Sequence, residues 1–205
     1  MMKQAGSIIL LLLLSRSAFA MDATELKSGD LILQSNPCFV CQLIEAEENS
    51  IYSHIGVVIT PDLGEPQVLE AWGITQNTPL SVFLSRRKKS TQSLILRPQE
   101  QLKLASASSI DLMNRFTSYF AGKSYDPDFL WNNRDENGET LYCSEFVAKF
   151  INPLIGNNLR PKAMHFEKNR EAWFHYFRGN PPDGLPGMSP GDFERSPHFK
   201  KVGLL

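Results

Sequence analysis

The chain has 205 residues, 42% of them hydrophobic, and a net charge of −1. That is enough apolar material for one buried core, and too little positive charge for a nucleic-acid footprint. The densest basic run, Arg86-Arg87-Lys88-Lys89, reads as a solvated turn rather than a binding patch.

Residues 1–20 have the layout of a signal peptide. Lys3 supplies the positive start, Ile8 to Leu14 an unbroken apolar stretch, and Ala18-Phe19-Ala20 a small-x-small cleavage site. The apolar stretch is shorter than the roughly 20 residues that a bilayer span needs. Cleavage after Ala20 would release residues 21–205 as one exported domain, periplasmic or secreted, with no stable membrane insertion. Loss of Lys3 and Arg16 would leave that domain more acidic than the whole chain.

In the mature part, the Ser28-Gly29-Asp30 turn launches an apolar strand, Leu31-Ile32-Leu33. Pro37 to Glu48 reads as a short helix with proline at its start and an acidic end. Ile51 to Thr60 is a strand carrying His54, and Gln67 to Trp72 a strand carrying Glu70; the Pro/Gly turn 61–66 makes them a hairpin. A third strand-like piece lies near Ile74-Thr75, a helical turn over Pro79 to Leu84, and a strand over Ser93 to Arg97. From Gln101 to Phe120, Leu102, Ala105, Ile110, Met113, Phe116 and Phe120 recur mostly at helical spacing, and Gly122 stops the helix. A polar, aromatic connection from Lys123 to Thr140 leads to a helix that begins at Cys143 and ends at about Phe150 or Ile151, before Pro153. Gly179 to Gly191 reads as a Pro/Gly-rich loop, and Lys200 to Val202 as a last strand. Early strands followed by helices indicate an α+β fold.

Three cysteines cannot all pair. Cys38 and Cys41 form a C-x-x-C and can join each other in an oxidising compartment, or stay as two thiols. No second C-x-x-C completes a zinc site, and no thioredoxin-like pattern surrounds this one. Such pairing would leave Cys143 as a free thiol at a helix start, where unpaired N–H groups favour the thiolate. A cysteine, a strand histidine and a strand-end carboxylate are the parts of a cysteine hydrolase: the thiol needs a base, and the base needs a group to fix its tautomer. Singly, a histidine in an apolar strand or a buried cysteine is more often a packing residue. His165, His175 and His198 have no ligand spacing, so no metal and no other cofactor is expected.

Gly29-Asp30-Leu31-Ile32, Ser53-His54-Ile55-Gly56, Leu69-Glu70-Ala71, Gly122-Lys123-Ser124-Tyr125-Asp126 and Tyr142-Cys143-Ser144-Glu145 resemble, in this order, the circularly permuted papain-like hydrolases of the NlpC superfamily, YiiX-type branch. The order carries the resemblance: ordinary papain-like enzymes place the cysteine before the histidine. The resemblance implies a permuted papain-like α+β fold, a small antiparallel β-barrel packed against helices that include the nucleophile helix. It implies Cys143 as nucleophile, His54 as base and Glu70 as orienting acid, acting through an acyl-thioester on amide or ester bonds.

The Cys143 N–H is the expected oxyanion donor, with Tyr52 as a side-chain alternative two residues from His54 on the same strand face. Trp72 shares a face with Glu70, and either walls the site or fills the core. Tyr125, Asp126 and Trp131 lie in the segment leading to Cys143. They shape an acyl pocket, or Trp131 and Phe129 cap the barrel. Tyr52, Trp72, Tyr125 and Trp131 are thus the candidate substrate-binding residues. Glu145, two residues beyond Cys143 on a helix, points to another face and reads as structural. The substrate is then a small peptide, amide or lipid. Peptidoglycan stem peptides lead among the amides, a lipid acyl ester is the alternative, with an apolar pocket built from residues such as Phe83, Phe129 and Trp131, and a silent binding protein is the non-enzymatic reading.

Overall fold

The computed structural model describes residues 20–99, 107–156 and 158–205. Most of the leader and the N-terminal part of the expected 101–120 helix, including Leu102 and Ala105, lie outside the described residues.

The chain runs β1 (Leu31–Gln34), α1 (Phe39–Glu48), β2 (His54–Ile59), β3 (Gln67–Trp72), β4 (Ile74–Pro79), α2 (Leu80–Ser85), β5 (Leu94–Pro98), α3 (Ser109–Tyr119), β6 (Arg134–Asp135), β7 (Gly138–Glu139), α4 (Cys143–Ile151), β8 (Lys162–Ala163), α5 (Arg170–Tyr176), β9 (Pro186–Gly187), α6 (Pro190–Arg195) and β10 (Phe199–Leu204). Six strands form one antiparallel sheet in the order β10-β5-β1-β2-β3-β4.

Side chains alternate across this sheet, as the pleat requires. Leu31, Leu33, Ile55, Val57, Ile59, Leu69, Leu94 and Leu96 face α3 and α4. Ile32, Val58, Val68 and Ile95 face the opposite way, toward Leu80 and Phe83 of α2. The sheet is therefore buried on both faces, which is why β1 and β2 read as continuous apolar runs. On α4, Phe146, Val147, Phe150 and Ile151 recur at one- and four-residue steps and fill the main core.

The sheet is open, and this corrects the closed barrel that the resemblance implies. Among the described residues no pairing joins the end strands β10 and β4. Each outer edge carries an isolated bridge to another segment, Ile74 to Ser124 and Leu204 to Ala20.

Other differences have local causes. The 123–140 connection contains the β6–β7 hairpin, tied down where Glu139 receives both Lys123 (2.8 Å) and Lys149 (2.6 Å). The Pro/Gly stretch before Gly191 contains β9 and runs into α6, whose Ser189 and Asp192 cap its N-terminus reciprocally with Pro190 at the first helical position. That Ser-x-x-Asp spacing is a readable start signal. No such signal announces α5, whose N-cap residue Asn169 sits in the left-handed region (φ 57°) and makes no side-chain cap.

Cys38 and Cys41 are joined in a disulfide across the first turn of α1, and Cys143 is free. Thiol counting on the denatured, unreduced protein should find one thiol, at Cys143. The closed loop is very short, so reduction should cost at most about 2 kcal/mol of unfolding free energy. Denaturant titration with Cys143 alkylated, with and without reductant, measures this. A loss well above that figure would mean that the bridge also shapes the α1 wall.

Candidate active site

The site forms where two elements meet at their ends. The β2–β3 ladder runs from Ile59↔Gln67 to Val57↔Leu69 and stops there. His54, Ile55 and Gly56 continue past it, and α4 packs here with Cys143 at its first position. Continuing the register sets Gly56 opposite Glu70 and His54 opposite Trp72. His54 and Glu70 are thus diagonal neighbours on one face. His54 Nε2 lies 2.7 Å from Glu70 Oε2, both side chains buried. Gly56 makes the approach feasible: a β-carbon there would overlap Val68 Cγ1 and sit 3.0 Å from the Leu69 carbonyl oxygen.

With Nε2 committed to Glu70, the other ring nitrogen is the one left for Cys143, whose thiol interacts electrostatically with the imidazole. Burial alone would pull the His54 pKa down; its interactions with Cys143 and Glu70 outweigh that and hold it at about 9. Burial alone would raise the Cys143 thiol, and the imidazolium brings it below the usual range. Burial likewise opposes ionisation of Glu70, whose partners His54, Thr78 and Arg86 keep it below the usual carboxylate range. This arrangement favours a thiolate–imidazolium pair at neutral pH.

Aromatic rings fix the imidazole from two sides. Phe83 stacks beneath it at 5.6 Å and Trp72 meets it edge-on at 5.3 Å. Arg86 lies over Trp72, 4.5 Å from the ring centroid, and its NH2 contacts Glu70 Oε1. The basic run is therefore not the solvated turn its composition implies. Arg86 and Arg87 are half-buried, and Arg87 NH1 reaches the Leu205 carbonyl at 2.6 Å. Only the two lysines are exposed.

Cys143 opens into a cleft walled by Ile44 of α1, Tyr125, Phe129, Met164, Phe166, Trp173 and Met188, with Glu47, Glu48 and His165 also lining it. Most of this wall is apolar. Phe129 takes a left-handed backbone (φ 54°), and buried Asp126 pins the turn by accepting the N–H groups of Asp128 and Leu130. Glu145 accepts the Asn132 N–H at 2.6 Å and pairs with Lys149 at 2.7 Å. The α4 N-terminus carries no side-chain cap: its N-cap residue is Tyr142, whose hydroxyl accepts the Met188 N–H. Its first N–H groups therefore face Cys143 without a capping side chain.

Of the expected binding residues, Tyr125 lines this cleft, and Tyr52, Trp72 and Trp131 lie outside its wall. Tyr52 is buried in the main core, its phenol pushed up to about 12 by burial and then by the Glu194 charge. Trp131 packs against both the main core and a separate cluster of Phe129, Tyr142, Phe166, Trp173 and Phe177, with Lys149 Nζ 5.5 Å from its ring. Phe83 lies under the imidazole rather than in the pocket. Met164, Phe166, Trp173 and Met188 carry the wall instead. They come from segments distant in sequence from the triad, and no local motif marks them.

Residues 25–203 match the family described as permuted papain-like amidase enzyme, YaeF/YiiX, C92 family. The chain belongs to this family. Members of the C92 family are cysteine peptidases or amidases, so the chain is a cysteine hydrolase in the general sense. Among solved structures it is similar to the metalloprotein YiiX from Escherichia coli O157:H7, with a TM-score of 0.71 and 23% identity over 86% of this chain and 96% of that one. That likeness establishes the shared fold. No curated protein matches the chain. "Metalloprotein" describes the neighbour. Among the described residues of this C92 chain, no group of three or more His, Cys, Asp or Glu side chains is arranged to hold a metal ion.

Proposed function

We propose that this C92 chain is an exported hydrolase that cleaves amide bonds through Cys143, His54 and Glu70. The observation that carries the reading is the buried cluster in which Glu70 holds His54 Nε2 at 2.7 Å and the free thiol of Cys143 interacts with the same imidazole. In this reading the thiolate attacks the scissile carbonyl carbon. The oxyanion forms at the uncapped α4 N-terminus, against the Cys143 N–H and its neighbour. His54 gives its proton to the leaving amine, which departs as the carbonyl reforms in an acyl-thioester. Water then attacks the thioester, His54 takes its proton, and the thiolate is released with the carboxylic acid product. Stem peptides of peptidoglycan are the lead substrates if the chain is exported.

Export is supported by the leader pattern. N-terminal sequencing of the envelope-localised protein should begin at Met21; an intact Met1 on a cytoplasmic species contradicts export.

The apolar cleft wall favours a second reading, in which the same thioester chemistry acts on a lipid acyl ester. Intact-mass analysis of Cys143 after incubation with muropeptides or with short-chain and long-chain acyl esters separates the two. A peptidyl adduct supports the first reading and a fatty-acyl adduct the second. No adduct with any acyl donor or electrophile leaves a binding protein and overturns both.

A further inference from the structure

The proposed triad does not balance its own charge. A thiolate at Cys143, an imidazolium at His54 and a carboxylate at Glu70 leave one excess negative charge in a site where all three side chains are buried. A buried excess charge is costly, and the cheapest correction is to take up a proton, which neutralises the thiolate or the carboxylate. One cation stands beside the far end of the relay. Arg86 NH2 contacts Glu70 Oε1 while Glu70 Oε2 receives His54, so the four groups alternate in sign from thiolate to guanidinium.

The groups facing Glu70 come from every element packed on it: His54 of β2, the Thr78 hydroxyl of β4, Arg86 at the C-terminal end of α2, and Cys143 of α4 beyond the imidazole. Arg86 is the one among them whose charge is permanent. It is fixed in place by Trp72 at 4.5 Å and Phe83 at 5.4 Å, the two rings that also clamp His54. Its Nε is buried without an acceptor, so among the described residues the guanidinium serves no second carboxylate.

We propose that Arg86 is a fourth, positioning member of the site, which holds Glu70 ionised and oriented and supplies the positive charge that lets Cys143 exist as a thiolate. The proposal rests on the triad reading above, since Arg86 acts through Glu70 and His54 and touches no substrate. Removing a cation raises the pKa of the groups near it; with Glu70 still held ionised by His54, the excess negative charge falls on the thiolate, and the acid limb of its reactivity moves to higher pH. An arginine beside a carboxylate depresses that carboxylate by roughly 1–3 pH units, and the thiol, two groups farther along the relay, should feel a fraction of this.

The test is the pH profile of iodoacetamide alkylation at Cys143 in the oxidised full-length protein, where it is the one free thiol. It needs no substrate. Wild type, Arg86→Gln, Arg86→Met, Arg86→Lys and His54→Ala are compared, with circular dichroism to confirm folding. Arg86→Met keeps an unbranched stem against Trp72 and Phe83. In folded Arg86→Gln or Arg86→Met, the acid limb should rise by about half a pH unit or more, and Arg86→Lys should return it close to wild type. An unchanged limb in a folded neutral variant overturns the proposal, as does a lysine variant that shifts as far as the neutral ones. If neither neutral variant folds, Arg86 is a fold residue and the proposal falls. Failure of the triad itself looks different: wild type and His54→Ala would then share one profile.

Discussion

Cys143→Ala and His54→Ala should each reduce kcat/KM by a factor of about 10³–10⁶ on any substrate the protein is shown to cleave, without loss of the fold. Deleting the sulfur removes the bond that forms in the first step. Deleting the imidazole removes the base, the cation that lowers the thiol pKa, and the acid for the leaving group. The double variant should be little worse than either single one, because the members act as a unit. Glu70→Gln should lose less, since Glu70 orients the ring and transfers no proton. It still leaves Arg86 beside a neutral amide, so part of its loss should appear as stability. The measurement is kcat/KM with melting curves in parallel, so that a folding defect is not read as a chemical one. Wild-type turnover by folded Cys143→Ala would rule out the nucleophile.

Gly56→Ala should have the second largest effect, from a residue that performs no chemistry. Its added β-carbon would overlap Val68 Cγ1 and press on the Leu69 carbonyl. Val68 is fully buried beneath α2, so it cannot swing aside, and the strands must part. Overpacking of this kind costs about 1–3 kcal/mol. The same displacement lengthens the diagonal His54–Glu70 bond, and a shift near 1 Å in such a relay can cost about 10²-fold in rate. Thermal denaturation measures the first effect, and the imidazole proton resonance in NMR reports whether the His54–Glu70 bond survives. Wild-type stability and a wild-type resonance would show that β2 and β3 can separate without consequence.

The elements that hold the three central residues were legible because local rules decide them. Apolar residues at helical steps from Cys143 and the proline at 153 bound α4 nearly as expected, and the Pro/Gly turn marks the hairpin carrying His54 and Glu70. Which residues form the cleft was not legible. Met164, Phe166, Trp173 and Met188 reach Cys143 only through the path of the chain after α4, and their spacing carries no signal. Trp72 and Trp131 looked equally fit for a binding wall. Trp72 instead meets His54 and Arg86, and Trp131 packs against the cores. Arg86 was hidden in a run of four basic residues, where composition argues for solvent; a contact 16 positions away takes it inside. Sheet closure was also beyond local pattern, because it depends on what meets the outer edges of β4 and β10.

The most direct test of the central claim is the rate at which iodoacetamide labels Cys143 near pH 6, in wild type and in His54→Ala. An ordinary thiol, with a pKa of about 8.5, is almost wholly protonated there. If His54 holds the proton that Cys143 gives up, wild type should be labelled at least about ten times faster than His54→Ala, whose thiol returns to ordinary or burial-raised behaviour. Equal rates in two folded proteins would contradict the thiolate–imidazolium pair, and with it the assignment of Cys143, His54 and Glu70 as one catalytic unit.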